Sequence, residues 1–237
     1  ATSAVLMLVF KDTILGLAAG VRLTSNDMLH KGDWITVKSV DANGIVEDMS
    51  LTTVKVRNFD NTIVTISPAT LVNGSFQNWI GMQKSGGRRV KRIVYFDFRS
   101  IRLVDETLKQ TLLAKHFATE DSFKLKESLQ KAIEKDIEEG KDIEDLKNPA
   151  ALAPTNLQLY RRFMEKYLRQ RPEVNTELTL MVRHMEATQC GLPIEFYFFI
   201  KDKVWVNYEH ILADIMEHAY ALANEFGLKI YEQYPEQ

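Results

Sequence analysis

The sequence predicts an α+β protein, and three successive patterns lead to that prediction. Residues 1–23 are almost uncharged, residues 31–66 alternate with a period of two, and residues from 93 onward alternate between strand-like and helix-like segments. The chain has 237 residues, 45 % of them hydrophobic, with 30 basic and 32 acidic side chains and a net charge of −2. We therefore expect one or two globular domains with a sizeable core.

The first segment consists of two uncharged runs separated by a charged pair. Residues 5–10 are all apolar, Lys11 and Asp12 follow, and residues 13–21 are again uncharged. A membrane-crossing helix needs about 20 predominantly apolar residues, so neither run spans a bilayer alone. Left in water, the first run would forfeit roughly 10 kcal/mol. We expect it to be buried in protein, in lipid or in copies of itself.

Small residues are concentrated in the second run, at Gly16, Ala18, Ala19 and Gly20. Small residues let helix backbones approach closely, as they do in membrane helices. We therefore predict that these four residues pack helices together. A helix packed on a soluble core is the simpler alternative.

Four short segments with period-two alternation follow, at residues 34–37, 45–47, 53–57 and 62–66. Their spacing of roughly ten residues predicts a small barrel or sandwich. The dipeptide Asn43-Gly44 predicts a hairpin turn, and Asp60-Asn61 predicts a second tight turn. Pro68 is expected to end the last strand, with an irregular or helical link over residues 71–79.

A domain boundary is predicted over residues 84–92, where two glycines accompany five cations and no acid. Four of these cations are Arg88, Arg89, Lys91 and Arg92. They suit the phosphate of RNA or of anionic lipid headgroups. Solvation of a linker, or pairing with a neighbouring subunit, explains them equally well.

The second half predicts the element order β-α-β-β-α-β, which is that of a ferredoxin-like fold. Strands are expected at 93–98, 177–187, 194–201 and 228–231, with a turn at residues 191–193. Asp105 is expected to open the first helix, and Asn207 to cap a helix that ends at Gly227. Between the first helix and the second strand we predict a helical insertion at about 105–176, with amphipathic helices over 123–137 and 157–169.

Signatures of catalysis and of cofactor or metal binding are weak. Gly86-Gly87 lacks the strand and helix that a phosphate-binding loop needs, and His210 and His218 are too far apart to bind one ion. Cys190 is the single cysteine, so neither an intramolecular disulfide nor a cysteine-built zinc site is possible. We predict a protein that is not an enzyme and has no cofactor and no metal. The near-neutral charge also argues against nucleic acid as a partner.

Several segments resemble the mechanosensitive channel of small conductance family. They are Leu17-Ala18-Ala19-Gly20, Gly32-Asp33-Trp34-Ile35 and residues 44–48, 51–57 and 60–66. Residues 11–12, 25–29 and 85–89 are similar, more narrowly, to its miniconductance, YbdG-type branch. The likeness is strong over residues 5–100 and weaker over 177–231, and it is mostly absent over 105–176.

The resemblance implies a homoheptamer in the bacterial inner membrane, with most of this chain on the cytoplasmic side. It implies three parts: the end of a pore helix and an interfacial helix over 1–27, a small Sm-like β domain over 28–84, and a ferredoxin-like domain over 85–237. It places a kink at Lys11-Asp12 and Arg22 at the level of the lipid headgroups. It also implies that upstream transmembrane helices are absent from this chain.

The family's pore constriction aligns with Ala4 and Leu8, one turn apart, and Lys11 is a further pore-lining candidate. A ring of Leu8 side chains could close a pore by dewetting. Ala4 departs from the family's leucine and would leave the second layer wide, so the gate could instead involve Met7 or Phe10. Ser67-Pro68-Ala69 departs as well, because the family usually has Pro-Asn there.

The resemblance therefore implies an ion channel that membrane tension opens, with lipids and permeating ions and small solutes as its partners. Two other functions stay open. A soluble oligomeric scaffold or sensor would use residues 1–21 to pack subunits together. An RNA-binding module is disfavoured, because the strand at 90–98 lacks the aromatic-glycine pattern of RNA-stacking sheets.

Overall fold

The computed structural model describes residues 2–124 and 153–233, with the single positions 131, 135 and 138; for residues 2–9 and 12 it describes the backbone only. The chain divides into two compact units, Ala1–Ser85 and Gly86–Gln237. Each unit combines helices with one antiparallel sheet, so the predicted α+β class is confirmed. The amphipathic helix predicted over 123–137 lies mostly outside the described residues.

Unit 1 contains a long helix followed by a five-stranded antiparallel sheet of order β4-β3-β2-β1-β5. Its elements are α1 (Thr2–Ser25), β1 (Trp34–Val37), β2 (Ala42–Met49), β3 (Val54–Asn58), β4 (Ile63–Ile66), α2 (Pro68–Asn73), β5 (Gln77–Asn78) and α3 (Ile80–Lys84). The first four strands are those that the alternation predicts. Their inward residues form one core with Leu23, Leu29 and Leu71.

The hairpin turn predicted at Asn43-Gly44 is wrong, because both residues lie inside β2. The chain turns earlier, through a 3₁₀ turn at Lys38–Val40 and a left-handed Asp41 with φ of 51°. Gly44 instead allows β2 and β3 to approach each other closely, because a Cβ there would lie 1.9 Å from the Arg57 carbonyl oxygen on β3. The second predicted turn is confirmed, with Asn61 at φ of 69°.

The segment after β4 is more regular than expected. Ser67 caps α2 by accepting a hydrogen bond from the Thr70 N–H, and Pro68 occupies the first turn, where its missing N–H costs nothing. Gln77 and Asn78 then add a fifth strand beside β1, which the sequence analysis missed. A strand of two residues is too short to show a period of two.

Unit 2 contains a three-stranded antiparallel sheet of order β6-β8-β7 with helices packed on it. Its elements are β6 (Arg88–Phe96), α4 (Glu106–Ala114), α5 (Asn156–Gln170), β7 (Met181–His184), β8 (Leu192–Ile200) and α6 (Trp205–Glu225). Asp105 caps α4, and Gly227, with φ of 67°, follows the end of α6, both as predicted.

Three predictions in unit 2 need correction. The strand at 228–231 is reduced to a single bridge between Ile230 and Phe96. Asn207 does not cap the last helix, because α6 begins two residues earlier and Asn207 donates to Asp202 instead. β7 is much shorter than the predicted strand at 177–187.

The proposed insertion also extends less far than residues 105–176. Tyr160, Met164 and Leu168 of α5 are fully buried in the core with Phe96 and Phe226. The Tyr160 hydroxyl donates to the Ala219 carbonyl at 2.6 Å, which joins α5 to α6. α5 is therefore one of the helices that cover the sheet, and it is not an addition to the fold.

Candidate functional site

The most unusual surface of unit 1 is a stripe of large apolar side chains along α1. Phe10, Ile14, Leu17 and Val21 are each between 44 % and 59 % exposed. Their spacing of four, three and four residues places them on one face of the helix. Leu15 beside them is 53 % exposed. We call the first four residues the α1 stripe.

A different side of α1 is fixed to the β domain of the same unit. Ala19, Gly20 and Leu23 are buried. A Cβ on Gly20 would lie 2.0 Å from the Leu51 carbonyl oxygen, in the turn between β2 and β3. Gly20 must therefore be glycine for the helix to rest on this turn.

The four small residues do not share one environment. Ala19 and Gly20 face the β domain, whereas Ala18 is exposed and a Cβ on Gly16 would meet nothing within 4 Å. Contacts with the β domain thus explain why Ala19 and Gly20 are small. Packing between helices of different subunits remains a prediction for Gly16 and Ala18.

The pore-lining candidates all lie in α1. Ala4 and Leu8 are one turn apart in its first half, where the structure describes the backbone only. Lys11 is exposed. α1 includes Lys11 and Asp12 without interruption, and a kink at these residues remains a prediction. Arg22 is exposed in the last turn, where a cation complements the helix dipole.

Asp33 holds the connection between α1 and the β domain in place. The sequence analysis assigned it no role beyond the family motif. Its buried carboxylate accepts hydrogen bonds from the His30 N–H at 3.1 Å and from the Asn78 side-chain amide at 2.8 Å. Beside it, the Trp34 and Trp79 rings stack 4.7 Å apart. These contacts tie the connection after α1 to β1 and β5.

The cations of β6 have partners inside unit 2. The Arg88 guanidinium lies 4.3 Å from the centre of the Tyr208 ring, and that of Arg89 lies 6.0 Å from the Tyr197 ring. Lys91 pairs with Glu195 at 3.7 Å. Arg92 is exposed. Arg88, Arg89 and Lys91 are thus engaged within unit 2, and lipid-headgroup contact by these residues remains a prediction.

Glu195 is a buried charged residue of unit 2, and nothing in its sequence context marked it. It lies in β8 and is fully buried, with Arg183 Nε 2.5 Å from its Oε2. Its Oε1 has no hydrogen-bond partner, although the Lys91 ammonium is near. Two cations therefore balance one carboxylate on the sheet.

Within residues 2–124 and 153–233 there is no cluster of three or more residues that could hold a metal ion. Over the same residues, no helix is both long and apolar enough to cross a membrane. Cys190 is an exposed free thiol.

Residues 12–81 match the family model described as the β-domain of the mechanosensitive ion channel. Over these residues the chain is similar to the mechanosensitive channel of small conductance (MscS) family. The match covers the second half of α1 and most of unit 1, and it includes Ile14, Leu17 and Val21 of the α1 stripe and the Gly20 contact. The narrower YbdG-type assignment remains a prediction.

Two curated relatives align with part of this chain. The small-conductance mechanosensitive channel MscMJ of Methanocaldococcus jannaschii is 33 % identical over 73 residues, which are 31 % of this chain and 20 % of that protein. An uncharacterised MscS family protein of Aquifex aeolicus is 33 % identical over 85 residues, 36 % of this chain and 23 % of its own length. The aligned region thus spans less than a quarter of each relative.

Solved structures extend the likeness to the whole fold. Arabidopsis thaliana MSL1 matches 98 % of this chain and 63 % of its own with a TM-score of 0.63 at 10 % identity. Helicobacter pylori MscS in its closed state matches all of this chain and 69 % of its own, with a TM-score of 0.59 at 12 % identity. At this identity the likeness establishes the fold alone.

Proposed function

We propose that this chain forms part of an ion channel that membrane tension opens, releasing ions and small solutes on hypo-osmotic shock. The α1 stripe carries the proposal. Burial of a large apolar side chain is worth about 1.5–3 kcal/mol, so four half-exposed ones forgo roughly 3–6 kcal/mol in water. Lipid, or the same helix in other copies of the chain, would recover this free energy.

The proposed mechanism couples α1 to the β domain through Gly20. Tension favours the state that occupies the larger area in the membrane plane. It shifts the equilibrium between two states only if their areas differ. A helix whose apolar face lies in lipid and whose other side rests on the turn at Leu51 would transmit that load to the β domain. Leu8, and Ala4 one turn before it, are the proposed gate positions, with Lys11 lining the pore.

The proposed assembly is a homoheptamer in the bacterial inner membrane, with the β domain and unit 2 on the cytoplasmic side. Arg22 would then meet anionic headgroups, where each basic side chain near the surface is worth about 1 kcal/mol. Gly16, where an added Cβ would meet nothing within 4 Å, and the exposed Ala18 would face neighbouring helices. Cross-linking followed by mass determination would give the number of copies.

A soluble oligomeric scaffold is the second candidate, because copies of the chain could also bury the α1 stripe among themselves. Flotation with lipid vesicles distinguishes the two candidates. The channel proposal expects the purified chain to float with the vesicles. A particle that stays in the lower fraction and remains monodisperse without detergent would favour the scaffold.

Patch recording tests the channel function itself. The protein is expressed in cells that lack other tension-gated channels, and suction is ramped at fixed voltage. Discrete openings that depend on tension are expected. Silence up to membrane rupture, with the protein shown to be present, would overturn the proposal.

A further inference from the structure

Unit 2 contains a cleft of about 430 Å³ between the segment that follows α4 and one face of α5. Such a volume is typical of small-molecule sites. Its apolar lining comes from Phe117, Leu159 and Phe163, and the first and last of these rings contact edge to face at 5.2 Å. The cleft therefore has an ordered apolar wall.

The polar part of the cleft is cationic. Arg162 and Lys166 both line it, and they lie four residues apart on the same face of α5. Among the residues that the structure describes, neither side chain has a hydrogen bond or an ion pair, and no carboxylate lines the cleft. Thr119 and Ser122 also line the cleft, and because their hydroxyls share a hydrogen bond of 3.3 Å, one of the two protons is available to a bound anion.

His116 occupies a strained position at the edge of the cleft. It follows α4 with φ of 59°, a left-handed conformation that glycine usually fills at the end of a helix. Histidine there costs stability, and this residue lines the cleft. Strain of this kind is retained where a side chain has another use.

We propose that this cleft binds a small organic phosphate, a molecule with one phosphoryl group and an apolar or aromatic part. Arg162 and Lys166 would hold the phosphoryl oxygens through charge-assisted hydrogen bonds, with one of the two hydroxyls and His116 as further donors. The apolar part would lie against Phe117, Leu159 and Phe163. The proposed channel function assigns no ligand to this part of the chain.

Calorimetric titration of the purified full chain tests the proposal, with adenosine monophosphate as the probe and inorganic phosphate and adenosine as separate arms. The complete probe should bind more tightly than either part. The double variant Arg162→Gln/Lys166→Gln should weaken binding about tenfold or more. A hydrogen bond to a charged group contributes about 1.5–3 kcal/mol, and about 1.4 kcal/mol corresponds to a tenfold change in affinity. Arg169→Gln, on the same helix but outside the cleft, should change nothing.

His116→Gly provides a test that loss of folding cannot imitate. Glycine suits the left-handed position, so this variant should unfold at a higher temperature and yet bind the probe more weakly. No binding of adenosine monophosphate at millimolar concentration would overturn the proposal. Equal binding by the wild type, the double variant and His116→Gly would overturn it as well.

Discussion

Gly44 shows how one residue determines whether two strands can pair closely. A Cβ at this position would meet the backbone of Arg57 and Asn58, and neither can move without disturbing β3. Gly44→Ala should therefore lower the free energy of unfolding of unit 1 by about 2–3 kcal/mol, the cost of overpacking a rigid core. Chemical unfolding followed by tryptophan fluorescence measures this, because Trp34 and Trp79 belong to unit 1.

Gly81 is the matched control for Gly44. It lies in α3, and an added Cβ would meet nothing within 4 Å. Gly81→Ala should leave stability unchanged or raise it slightly, since alanine favours a helix. Equal losses in both variants would contradict the close-approach explanation.

Glu195 and Arg183 should respond differently to mutation although they form one pair. Arg183→Ala leaves the fully buried carboxylate with Lys91 alone and should cost about 3 kcal/mol. Glu195→Gln leaves cations that reach solvent, because the Arg183 and Lys91 side chains are half exposed. It should therefore cost about 1 kcal/mol.

The double variant Arg183→Ala/Glu195→Gln measures the coupling between them. It should be more stable than Arg183→Ala, because the buried carboxylate that lost its closer cation is gone. Thermal unfolding of all three variants gives the values. A double variant less stable than both single variants would refute this account of the pair.

At the scale of elements, Asp105 links helix capping to pH. The Leu108 N–H donates to its carboxylate at 2.8 Å, and together with Arg102 this holds the pKa of Asp105 below its ordinary value of 3.8. A carboxylate with a lowered pKa stabilises the folded state fully above that ordinary value. The stabilisation is lost as the pH falls through the folded-state pKa.

Asp105→Asn should separate the charge from the cap, because asparagine caps a helix as well as aspartate does. When the pH is lowered from 7 to 2.5, the melting temperature of Asp105→Asn should fall less than that of the wild type. The difference should develop below about pH 4. Asp105→Ala should be less stable at every pH. Parallel acid profiles of the wild type and Asp105→Asn would show that the charge contributes nothing.

The elements that were predicted well are those whose signal is local. β1, β3 and β4 follow the alternation, and Asp105 and Gly227 mark helix ends through their own backbone chemistry. Asn43-Gly44 misled because a glycine needed for close approach resembles a glycine needed for a turn. Asn207 misled because a side chain two residues inside a helix can bind Asp202 instead of capping.

The parts that could not be predicted depend on contacts between distant residues. β5 exists through pairing with β1, and Glu195 is balanced by Arg183 and Lys91 from two other strands. The importance of α5 to the core follows from its contacts with the sheet and α6, and not from its own periodicity. The cleft beside α5 likewise requires the fold to bring its two sides together.

At the scale of the whole molecule, the account depends on the outward apolar face of α1. Ile14 in the α1 stripe and Ile63 on β4 form a matched pair within unit 1, because they are 59 % and 50 % exposed. Only Ile14 is proposed to contact lipid or neighbouring helices. The same substitution at both positions therefore separates this proposed contact from a general loss of apolar surface.

The most direct measurement is the suction needed to open the channel in membranes that contain the Ile14→Gln or the Ile63→Gln variant. Each suction value is divided by the value for a reference channel in the same patch. The account predicts that Ile14→Gln requires more suction than the wild type, because a helix held less firmly in lipid transmits less of the load. Ile63→Gln should open at the wild-type suction. Equal thresholds in both variants would contradict the account, because α1 would then have no special part in sensing tension.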